Sequence, residues 1–199
     1  SGLPRLGVQG VCFGKVITAI SPRQGQFNWA QVLWHELSHV FHIQLSKNRV
    51  PRWFTEGLAE YETMSARDEW RREDDFLLCK AIRANRLPPL GQMNHAFTSA
   101  RNDEDMLTAY YASARAMAYL VQRFGYPAMR KMLELWGQAK GSEQVVREAL
   151  GLALSQLERD FDRYLQASLG KKAIALQSYP AQRQKLSKLI RSDKVSELR

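Results

Sequence analysis

The sequence predicts a mainly helical domain of the α+β class, a small sheet remnant at the N-terminus followed by a helical bundle. Three observations carry this expectation. Only one run, Gly10 to Ile20, is rich in β-branched and aromatic residues. From Asn28 onward apolar residues recur at three- and four-residue spacing, the period of helices with one buried face. The chain has 199 residues, 45% of them hydrophobic, enough for one domain with a real core.

Taken in order, Gly10 to Ile20 reads as a strand closed by Ser21-Pro22. Asn28 can cap the next helix, with Gln31 as the return partner of a capping box. That helix runs to about Leu45, and Val32, Leu33, Leu37, Val40 and Phe41 mark its period. Ser46 to Arg49 and Pro51 break it, and a second helix covers Trp53 to about Met64. A charged stretch, Arg67 to Asp75, leads into a third helix that stops near Leu87-Pro88-Pro89. Pro88 to Asn102 reads as a loop, with His95 and Phe97 either an exposed histidine and an anchoring aromatic or part of a cleft rim. A long helix from Asp105 to Phe124 ends at Gly125, with Pro127 beyond. Ala128 to Trp136, Gln144 to Ala149 and Gln156 to Leu169 are further amphipathic helices. The expected division is a domain over 1–169 and a basic helical extension or linker over 170–199.

The net charge of +9 is concentrated at one end. Residues 170–199 hold eight Lys or Arg against two acids, a net of +6, which leaves +3 for the other 169 residues. A terminal basic tract of this kind is a solvated surface, so no specific nucleic-acid partner is expected. No run approaches twenty apolar residues, so no membrane span is expected and the domain reads as soluble. The N-terminus carries no signal pattern and reads as a cut inside a longer polypeptide, which leaves the compartment open. Cys12 and Cys79 are too few and too dispersed for a disulfide framework and read as buried free thiols.

The chemistry centres on His35-Glu36-Leu37-Ser38-His39. Imidazoles four apart on a helix stand on one face and can reach a single ion. Glu36 is rotated to the edge of that face, within reach of a water held at such an ion. A catalytic zinc site needs three protein ligands and an open position. Glu56, in the first turn of the second helix, is the third candidate if that helix folds back antiparallel to the first. Gly57 would let the two helices approach, and Glu60, one turn on, could accept the outer ring N–H of one histidine. His42 lies too far from His35 along the axis for both to hold one ion, so it reads as a neighbour in the core or just behind the site.

His35-Glu-x-x-His39 followed by Trp53-Phe-x-Glu-Gly-x-Ala-Glu-Tyr61 resembles the gluzincin metallopeptidases, in particular the small peptidase MA-like domains related to the aminopeptidase-N and thermolysin groups. Sixteen residues separate His39 from Glu56, slightly fewer than in the aminopeptidase pattern, so the resemblance stops short of that subgroup. It implies the gluzincin catalytic core, one Zn²⁺ held by His35, His39 and Glu56, Glu36 as general base, and a peptide or protein substrate. It also implies a tyrosine, followed three residues on by a small residue, that donates to the oxyanion. That is Tyr110 with Ser113, Tyr111 being the alternate. A phenol is a neutral donor at working pH and suits the role. The aminopeptidase segment that grips a free N-terminus has no counterpart, so exopeptidase action is not supported. The implied function is zinc-dependent peptide hydrolysis, and the alternative is a catalytically silent peptide-binding module with the same fold.

Overall fold

The computed structural model describes residues 9–24, 26–71 and 75–172. It is mainly helical, with a two-stranded sheet at its N-terminal end. The run expected as a single strand is a hairpin: β1 (Gly10–Cys12) pairs antiparallel with β2 (Ile17–Ala19), Gly10 opposite Ala19 and Cys12 opposite Ile17. Gly14, at φ 77°, supplies the left-handed residue that lets the chain reverse between them.

Helix α1 (Trp29–Ser46) starts at Asn28, whose side chain accepts the Gln31 backbone N–H at 3.1 Å. The Gln31 side chain donates to the Trp70 carbonyl at 2.9 Å. Leu37 and Phe41, part of the apolar pattern that marks α1, are exposed, and its buried residues include Glu36, Ser38, His39 and His42. The period identified a helix, but the face turned inward is the polar one.

Lys47 and Asn48 turn the chain with φ of 49° and 61°, and α2 (Arg52–Ala66) runs back along α1. The contacts set the direction: His42 meets Thr55, His39 meets Glu56, His35 meets Glu60 and Ser38 meets Glu62. Gly57, expected from sequence to let α1 and α2 approach, does not serve that pairing. It faces α5, where an added Cβ would stand 2.4 Å from the Ser113 carbonyl oxygen.

Helix α3 (Asp75–Arg83) precedes the segment expected as a loop, which contains a 3-10 turn (Leu90–Gln92) and the short helix α4 (Asn94–Thr98). Asn94 accepts the Trp53 backbone N–H at 3.0 Å and so caps α2, whose Pro51 has no side chain to do it. Helix α5 (Asp103–Gly137), capped by Asn102, is broken at Gly125, whose φ of 77° and ψ of 167° are not helical, just before Pro127. Helix α6 (Ser142–Leu150) and a further helical stretch over 154–172 complete the bundle.

The core lies between α2 and both halves of α5. Phe54 is fully buried, with its ring 4.7 Å from that of Trp136. Residues 173–199 fall outside the described region, so the basic extension expected over 170–199 lies almost entirely there. No helix among the described residues is long and apolar enough to cross a membrane. Cys79 is buried as expected, whereas Cys12 is only partly covered and lines the cavity described next.

Candidate metal centre

Because α1 carries His35 and His39 one turn apart, their rings meet edge to face, centroids 4.8 Å apart, with the two Nε2 atoms at 3.1 Å. The reversal after Asn48 brings the first turn of α2 opposite, and Glu56 places Oε2 3.5 Å from His35 Nε2 and 3.3 Å from His39 Nε2. Three ligand atoms thus form a near-equilateral triangle. A tetrahedral zinc site with ligand distances of about 2.0–2.1 Å has edges of about 3.3 Å, so the donor set fits the ion in chemistry and in spacing. Among the described residues, this trio is the group of His, Cys, Asp or Glu able to hold a metal ion.

The outer ring nitrogens have partners of their own. His35 Nδ1 lies 3.2 Å from Glu60 Oε1, the contact expected of Glu60. His39 Nδ1 lies 2.8 Å from the Thr55 hydroxyl, which is also 3.1 Å from His42 Nδ1. With a neutral imidazole protonated at Nδ1, the Nε2 lone pair would face the common point.

The trio opens into a cavity of about 480 Å³ lined by β1, α1, α2 and the start of α5. Glu36 is buried at its edge beneath β1; an added Cβ on Gly10 would come within 2.8 Å of Glu36 Cγ, so only glycine lets the strand lie this close. Tyr110 and Tyr111 both line the cavity. Tyr110 is backed edge to face by Phe97 at 5.3 Å, and the Arg52 guanidinium sits 4.9 Å over that Phe97 ring. His95 is exposed, so of the loop pair it is Phe97, as an anchoring aromatic, that supports the site wall.

The sequence profile of the peptidase MA superfamily matches residues 6–167. The chain belongs to that superfamily. No curated protein and no solved structure gives a significant match. Members of the superfamily are usually zinc-dependent, and this peptidase MA domain carries the His-His-Glu group such an ion needs.

The charges of the His-His-Glu trio in this peptidase MA domain act on one another. Burial works against a charged His35, but hydrogen bonds donated by its ring to the Glu56 and Glu60 carboxylates outweigh it and lift its pKa to about 10. Burial likewise opposes a charged Glu56, yet the two imidazoles hold its carboxyl well below the usual carboxylate range. The carboxylates therefore favour positive charge on the imidazole they face. Glu36 moves the other way: burial raises it above the usual range, although His35 and His39 act against this. Burial, with the Glu56 charge nearby, also raises Tyr110, which keeps its phenol protonated.

Two residues of the peptidase MA site had no forecast from sequence. The sequence marks Thr55 only by its place next to Glu56. Arg52, one turn before Glu56 and 3.4 Å from its Oε1, was detectable as an i,i+4 pair.

Proposed function

We propose that this chain is a zinc-dependent peptidase in which His35, His39 and Glu56 hold one Zn²⁺. The observation that carries the reading is the triangle of Nε2, Nε2 and Oε2 at 3.1–3.5 Å beside a buried glutamate that belongs to none of its corners. Zinc bound there would lower the pKa of a coordinated water and polarise the scissile carbonyl.

The remaining chemistry falls to the chain. Glu36, made more basic by burial, accepts the proton of the attacking water and passes it to the leaving amine. Tyr110, neutral at working pH, would donate a hydrogen bond from its hydroxyl to the oxyanion. Glu60 and Thr55 hold the imidazoles by their outer nitrogens. Gln9 to Cys12 line the cavity, and among the described residues β1 pairs with β2 alone. Its other edge suits an extended peptide added as a further strand, which favours a peptide or protein substrate.

A silent peptide-binding module would have no use for a buried carboxylate beside the ligands. The zinc-loaded chain should cleave members of a broad peptide library. Glu36→Gln should retain zinc and lose about 10²–10⁴-fold in rate. A Glu36→Gln variant with both zinc and full hydrolysis would overturn the assignment.

A further inference from the structure

Thr55 and His42 form a second line of support behind the site. Glu60 braces His35 with a carboxylate, an acceptor with no other option. His39 is braced by a hydroxyl, which can rotate and by itself fixes little. What removes that freedom is His42, 2% exposed, whose Nδ1 lies 3.1 Å from the same Thr55 Oγ1. The three side chains are contributed by facing turns: His39 and His42 are three apart on α1, and Thr55 opposes both from the first turn of α2. The His39 and His42 rings stand nearly perpendicular, at 85° with centroids 6.0 Å apart, and the Thr55 hydroxyl lies within hydrogen-bond distance of both Nδ1 atoms. A hydroxyl has one proton and two lone pairs, so Thr55 can receive the His39 Nδ1–H and still bond His42 in either sense.

We infer that Thr55 is the positioning residue for His39 and that His42 acts on the site only through Thr55, as the anchor of its hydroxyl. This rests on the zinc centre proposed above. Both residues touch no ligand position on the ion side, so neither is a catalytic residue. Thr55→Val keeps the shape and removes the hydroxyl, Thr55→Ser keeps the hydroxyl, and His42→Leu removes the anchor.

The test is competition for Zn²⁺ against a chromophoric chelator, on the full chain, for wild type, the three single variants and Thr55→Val/His42→Leu. Thermal unfolding of each chelated protein checks that it is folded. Outer-shell partners are typically worth about 10–100-fold in metal affinity, so Thr55→Val should weaken binding by that amount. Thr55→Ser should restore it. His42→Leu should weaken binding less than Thr55→Val, and the double variant should bind as Thr55→Val does, because the anchor has nothing left to hold. Wild-type affinity in Thr55→Val, failure of Thr55→Ser to recover it, or losses that add in the double variant would each overturn the inference. Wild type that takes up no zinc would remove the metal centre itself, a result readily told apart from these.

Discussion

Gly57 of α2 rests on the backbone of Ser113 in α5, three residues beyond Tyr110. The contact sets how near α5 comes to α2, and with it the placement of Tyr110 beside Glu56. An added methyl meets carbonyl oxygen and carbon at 2.4 and 2.6 Å, atoms that cannot rotate away. Gly57→Ala should therefore destabilise the fold by about 1–3 kcal/mol, as overpacking does, read as a lower urea midpoint. Unchanged stability would mean that α5 can shift freely, contrary to its buried packing.

The two tyrosines at the start of α5 should separate by kinetics. Tyr110 is half-buried, lines the cavity with Glu56 and packs against Phe97. Tyr110→Phe should lower kcat by about 10²–10³-fold with little change in KM, the cost of removing one oxyanion donor. Tyr111→Phe should have a far smaller effect on kcat. The reverse ranking would transfer the role to Tyr111.

His42 gives the chelated protein a pH signature. Burial, helped by the charges of His39 and His35, lowers its pKa from the ordinary 6.5 to about 3. Between these values the unfolded chain binds a proton that the folded chain refuses, so this group makes stability rise with pH across the window and fall as pH drops below 6.5. His42→Leu removes that dependence. Its stability deficit against wild type should therefore shrink as the pH is lowered from 7 towards 3, measured by urea unfolding at each pH. Parallel curves for the two proteins would contradict a buried, neutral His42.

The parts of the site that could be read from sequence are those a single helix determines. His35 and His39 are one turn apart wherever α1 goes, and Glu36 must stand at the edge of their face. Glu56 and Glu60 became legible once Pro51 and the polar run before it signalled a reversal. Contacts between elements were harder. Thr55 reaches His39 and His42 only because α2 returns at one particular height along α1, which no residue spacing encodes. Gly57 signalled a close approach, but it could not say to which neighbour, and α5 rather than α1 is there. In the hairpin, Gly14 inside the apolar run was the turn signal, outweighed by the β-branched residues on either side. Leu37 and Phe41 fit the helical period while facing outward, since the inward face of α1 is given to the polar site.

The central claim is that α1 and the first turn of α2 hold one ion in common. Metal content of the purified chain, by inductively coupled plasma mass spectrometry beside His39→Ala and Glu56→Ala, tests it most directly. One zinc per wild-type chain, lost in both variants, is the expected result. No zinc in the wild type after incubation with it, or one zinc retained in either variant, would contradict the account.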